Sequence, residues 1–134
     1  MKEDSTYFQS IFAPYQQSVE IQQLGFDEPC VGCYYSDKDN VNLLLFKGVR
    51  NSDRDERARG GFATAPTYSQ AFRWFREKHK LIFYIQCDYN SLLGYIYGYI
   101  PIYNLYPSSR DYYKTYEEAE LACLKMLIEI VKNK

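Results

Sequence analysis

Cys30 and Cys33 stand two residues apart in the stretch CVGC, a spacing at which thiolates hold zinc or exchange disulfides. A closed zinc site needs four ligands, and the other candidates, Cys87, Cys123 and the single His79, are each isolated along the chain. A redox pair belongs at a helix N-terminus, where the helix dipole lowers the thiol pKa. Here the pair leads into YYSD, which reads as a strand ending in a turn, and strand alternation sends residues 30 and 33 to opposite faces. The expectation is therefore two reduced thiols at the start of a strand, with no metal and no cofactor.

Other catalytic patterns are weaker still. There is no Gly-x-Ser-x-Gly elbow, and His79 falls at the end of a helical pattern on its apolar register, where a partial positive charge is favoured. Glu117 and Glu118 suit a first helical turn, and Asp53, Asp55 and Glu56 suit a solvated loop. RGGF at residues 59–62 lacks the spacing of a phosphate-binding loop. No catalytic residue is assigned, and the chain is not expected to be an enzyme.

Two surfaces remain as binding candidates. Arg50, Arg54, Arg57 and Arg59 crowd one loop, ahead of a helix carrying Arg73 and Arg76. Guanidiniums near a helix N-terminus could take a phosphate or an acidic partner, against the simpler reading of a solvated loop neutralised by its own Asp and Glu. In YIYGYIPIY, Tyr95, Tyr97, Tyr99 and Tyr103 share one parity and Ile96, Gly98, Ile100 and Ile102 the other. The isoleucines suit a helix-covered face, which leaves the tyrosines on an open one, joined by Tyr84 and Gln86 if Phe83 and Ile85 point inward. Such a face would bury itself in a partner or stack bases.

The elements that must position these residues follow from pattern. Pro14 and Gly25 bracket a helix over residues 14–24. Cys30–Tyr35 and Val41–Val49 read as a hairpin across SDKDN, and RNSDRDERARGGFATA as a long mobile loop. Thr67 with Gln70 forms a capping box that opens a helix whose apolar face is Tyr68, Ala71, Phe72, Phe75 and His79. Leu81–Asp88 and Tyr95–Tyr103 make a second hairpin, and Thr115 with Glu118 caps a last helix that buries Ala119, Cys123, Leu127 and their neighbours. TYSQA at 67–71 and TYEEA at 115–119 each follow a hairpin, which is compatible with a duplicated ββα unit and equally with two independent capping boxes. The order α-ββ-α-ββ-α implies an α+β fold: a four-stranded, largely antiparallel sheet with helices on one face.

With 134 residues the expected organisation is one domain, with residues 1–13 loosely ordered. Fifteen Tyr against a single Trp make tyrosine the residue whose abundance needs explaining. Charge is uneven: residues 1–46 carry two Lys/Arg and seven Asp/Glu, residues 47–80 nine and four, residues 81–134 five and six. The basic middle third keeps nucleic acid open as a ligand although the net charge of −1 argues against a generally basic binder. No apolar run approaches the roughly 20 residues of a spanning helix, and the start MKEDSTYFQS is polar and acidic. A cytoplasmic protein without a membrane role is expected.

The segments APTYSQAFRWFREKH and YEEAELACLKMLIEIVK, with LGFDEP, resemble small proteins of unknown function encoded by bacteriophages and mobile elements of Bacteroides-type gut bacteria, over residues 14–134. The resemblance implies a phage or mobile-element setting, hence the host cytoplasm. It transfers no catalytic residue, because its motifs are caps and core positions. The expected function is non-enzymatic binding, to a protein partner or a second copy, through the tyrosine face, the arginine loop or both. The alternative is single-stranded nucleic acid or nucleotide, with Arg50, Arg54, Arg57 and Arg59 on phosphates and Tyr95, Tyr97 and Tyr99 on bases.

Overall fold

The computed structural model describes residues 9–37, 40–53, 61–88, 94–101 and 112–134, and the chain divides into two compact units, Met1–Ser69 and Gln70–Lys134. The fold is α+β with antiparallel strands. In the first unit the elements are α1 (Tyr15–Gln23), β1 (Cys30–Ser36), β2 (Val41–Val49), a single 3-10 turn at Asn51–Asp53, and β3 (Gly61–Ala65). Helix α2 (Tyr68–His79) begins at the end of that unit and leads into β4 (Leu81–Asp88), β5 (Gly94–Pro101) and α3 (Tyr116–Lys132) in the second. Among the described residues no helix is long and apolar enough to cross a membrane.

Helix α1 stops where its sequence says it must. Gly25 adopts φ +101°, its N–H donates to Gln22 O and the N–H of Phe26 donates to Ile21 O. These are the two bonds of a Schellman motif, and Phe26 and Ile21, both buried, supply the apolar contact that accompanies it.

One strand was hidden. Gly61–Ala65, expected to lie in a loop, is β3, and it pairs antiparallel with β1 from Gly32↔Ala65 to Ser36↔Gly61. The sheet order is β2-β1-β3. The expected single four-stranded sheet is therefore corrected to a three-stranded sheet and a separate two-stranded ladder of β4 and β5. β2 and β3 flank β1 in the first unit, and β4 pairs with β5 in the second. Among the described residues three strands precede α2 and two separate it from α3.

Gly32 explains the CVGC stretch better than its thiols do. A Cβ there would press on the Phe12 ring at 2.9 Å and on Ala65 and Leu43 at 3.3 Å, so the glycine lets Phe12 lie flat on the sheet. Phe12, Tyr34 and Ala65 form a small core with Tyr15 and Leu43 against it. The Tyr34 hydroxyl and the Ser18 hydroxyl both donate to the Ala13 carbonyl, at 2.7 and 3.1 Å, while the Ala13 N–H donates to Pro66 O. Burial pushes the Tyr34 phenol up to about 12, so it stays a donor to Ala13 at any physiological pH. Within the N-terminal segment expected to be loose, Phe12 and Ala13 are thus buried; residues 1–8 lie outside the described residues.

In the second unit Phe72 of α2 stacks on Phe83 of β4 with ring centroids 3.9 Å apart. Of the apolar face expected for α2, Tyr68, Ala71, Phe72 and Phe75 are buried, Trp74 with them, and His79 is half-buried. At the start of α3 the Thr115 hydroxyl accepts from the Glu118 N–H at 3.1 Å, as expected of a capping box. The Glu118 carboxylate returns to the N–H of Lys114, one residue before the cap.

Candidate partner-binding surface

The register of β4 and β5 decides the tyrosine face. Tyr97 pairs with Ile85 and Tyr95 with Cys87, so these tyrosines share the side of Phe83, which packs on α2. Tyr97 is only 7% exposed and meets the ring of Tyr113 at 5.9 Å, while Tyr95 meets Tyr116 edge-on at 6.0 Å. The open tyrosine face is thereby corrected: the tyrosines look toward α3, and the other parity, with Ile82 exposed, looks outward. Parity sorts residues into two faces without saying which is covered. A shallow cleft of about 510 Å³ remains beside Tyr97, Tyr113, Leu121, Ala122 and Met126.

Tyr84 lies on the outward face, paired with Gly98, where its ring occupies the space a Cβ would need. Tyr99 is placed only by its register opposite Phe83, its side chain lying outside the described residues, as do Tyr103 and the whole of Arg54, Arg57 and Arg59.

The remaining arginines divide between the two units. The Arg50 guanidinium donates to the Asp27 carbonyl at 2.8 Å, and its backbone N–H donates to Asp53 Oδ2. The N–H of Ser52 donates to the Asp27 carboxylate at 2.7 Å, and that bond holds the Asp27 carboxyl below its ordinary range. Arg50 is therefore part of a clasp between the α1–β1 and β2–β3 connections. Arg73 and Arg76 belong to the second unit, where Arg73 pairs with Glu77 at 3.1 Å on the exposed side of α2 and Arg76 is exposed.

The thiols are chemically quiet. Cys30, Cys33 and Cys123 are buried, Cys87 is half-buried, and none of the four is in a disulfide. Burial pushes the Cys33 thiol up and the Cys123 thiol up to about 12. Among the described residues no group of three or more His, Cys, Asp or Glu gathers closely enough to hold a metal ion. His79 closes α2, where the sequence placed it. Its Nε2 is buried without a partner, Trp74 packs on the ring at 4.8 Å, and burial followed by the charges of Lys134 and Lys78 pushes its pKa down.

Among the described residues Glu120 has the most displaced carboxyl, pushed up from 4.5 to about 7 by burial and then by Glu117. A carboxyl whose folded pKa is raised penalises the fold only once it ionises. The penalty is absent below about pH 4.5 and complete above about pH 7. The shift corresponds to roughly 3 kcal/mol unscreened, of which its residual solvent contact leaves about 1–2 kcal/mol. Glu120→Gln is expected to raise stability by that amount at pH 8 and to flatten urea-melt stability between pH 5 and pH 8; an unchanged slope would refute the assignment.

The surface that the sequence did not single out is β2. It is an edge strand nine residues long whose only described neighbour is β1. Leu44 and Phe46 lie on the face shared with Cys33 and Tyr35, and Leu45 and Val41 on the face shared with Gly32 and Tyr34. Leu44 is 45%, Leu45 55% and Phe46 46% exposed, and Val41 and neighbouring Val31 are similarly open. The signal was the run VNLLLF itself, in which apolar residues fail to alternate. That pattern belongs to a strand covered on both faces.

Comparison of the chain with known protein families, curated proteins and solved structures finds no match.

Proposed function

We propose that this chain is a non-enzymatic protein-binding module, in the phage or mobile-element setting its helices resemble, and that it engages a polypeptide partner by strand addition at β2. The observation that carries the reading is an edge strand with large apolar side chains exposed on both faces. Soluble proteins normally blunt such edges with charge, proline or a bulge. Here Lys47 and a register shift near Val49 guard only the C-terminal end, and Val41–Phe46 carries neither charge nor proline. An added strand would satisfy the outward backbone groups of β2 and cover Leu44, Leu45 and Phe46 together. Burial of Cys30, Cys33 and Cys123 away from solvent supports binding over catalysis. Base stacking on Tyr97 is disfavoured by its burial.

The test is affinity capture from host-cell extract with the wild-type chain and with a Leu44→Lys, Phe46→Lys variant as baits. A polypeptide retained by the first and lost by the second, with the variant's melting curve unchanged, is the expected result. Equal retention by both baits would move the working surface away from β2.

A further inference from the structure

Resting on that reading of β2 as the working edge, we infer that its occupant is a second copy of this chain, paired antiparallel about a two-fold axis that passes through Leu44 perpendicular to the sheet. An occupant of this edge must offer apolar side chains on both of its own faces, because the edge exposes Leu44 and Phe46 on one side and Val41 and Leu45 on the other. Most strands at a protein surface are apolar on one face only. Among the described strands, β2 itself meets the requirement, and a two-fold is the symmetry under which one patch serves both partners.

The register follows from charge. A two-fold at Leu44 sets Leu44 against Leu44, Leu43 against Leu45, Asn42 against Phe46 and Val41 against Lys47, and every pair shares a face because the axis is perpendicular to the sheet. Lys47, the only charged residue of β2, thereby arrives next to the turn that carries the exposed Asp37 of the other copy. Two strand spacings separate their backbones, on the order of 10 Å, which a lysine and an aspartate side chain span together. The Asp37 turn is held in shape by its own bonds, Asp37 N–H to Asn40 O and Asn40 N–H to Asp37 Oδ1, both at 2.9 Å. Both Lys47–Asp37 approaches form at once, one at each end of the shared ladder. With a net charge of −1, two copies meet without an opposing field. The two three-stranded sheets would then run on as one, with β2 no longer at an edge.

Sedimentation of the full chain between 1 and 200 µM tests the inference. The wild type is expected to be dimeric over the upper part of that range. Leu44→Lys, which sets two ammonium groups face to face on the axis, is expected to weaken association at least tenfold and to leave the melting curve unchanged at concentrations where the wild type is monomeric. The register is tested separately. Leu44→Cys should cross-link between chains on mild oxidation, since directly opposed residues approach to about 5 Å. Val41→Cys, whose counterpart lies six residues along, should not exceed the background set by the native cysteines. A wild type that is monomeric at 200 µM, or cross-linking at Val41 rather than Leu44, overturns the inference. If that monomer still retains a partner lost by Leu44→Lys, Phe46→Lys, the edge reading stands and only the second copy is wrong; if the two baits behave alike, both fall.

Discussion

Replacing Gly94 with alanine is expected to destabilise the second unit by about 3 kcal/mol or more, the sum of a left-handed backbone penalty and an overlap that cannot relax. Gly94 opens β5 at φ +114°. A Cβ on it would run into the carbonyl oxygen of Tyr113, a backbone atom with no rotamer to swing away. That carbonyl is in use: it accepts from the N–H of Tyr95 at 2.7 Å, and the N–H of Tyr113 donates back to Tyr95 O at 2.8 Å. This bridge holds the chain just before α3 against β5, so its loss loosens the rings of Tyr95 and Tyr97 from Tyr116 and Tyr113. Gly25 supplies the control, having φ +101° but no atom within 4 Å of the place a methyl group would take. Gly25→Ala should cost only the backbone term, about 1 kcal/mol. Urea unfolding of both variants separates the two contributions; equal losses would remove the steric one.

Asn51→Ala is expected to cost about 2–3 kcal/mol, more than an ordinary surface substitution, because it strands two backbone groups at once. The Asn51 amide donates to the Phe26 carbonyl at 2.8 Å, and its oxygen accepts the N–H of Thr64 at 2.9 Å. Thr64 is fully buried, so its N–H is left away from solvent once Asn51 is gone. One side chain thus ties the end of α1's Schellman turn to β3. Asn51→Asp keeps the acceptor for Thr64 and loses the donor to Phe26, so it should fall between wild type and alanine. An alanine variant within about 0.5 kcal/mol of wild type, the range usual for surface changes, would show that water replaces both bonds.

Much of the local structure was legible from residue types. Gly25 ends α1, Thr115 caps α3 and the β1–β2 hairpin turns within residues 37–40, each because the signal and the bond it makes lie within a few residues. β3 was not legible. Its apolar content is one Phe and two Ala behind a charged run, and what makes it a strand is the free edge of β1 together with the room beneath Phe12 for Ala65. The tyrosine face failed for a related reason, since period-two alternation is symmetric between the covered and the open side of a sheet.

For the binding surface, the sequence alone determined that β2 opens on a run apolar but for Asn42: VNLLLF is written in the chain and no folding changes its composition. Only the tertiary structure decided that the same run ends at an edge, with both faces open, because β3 rather than a further strand beside β2 completed the sheet. Side-chain chemistry is local and can be read along a chain. Which backbone edge is left without a partner depends on every other strand, and that is settled only when hydrogen bonds are shared out among all of them.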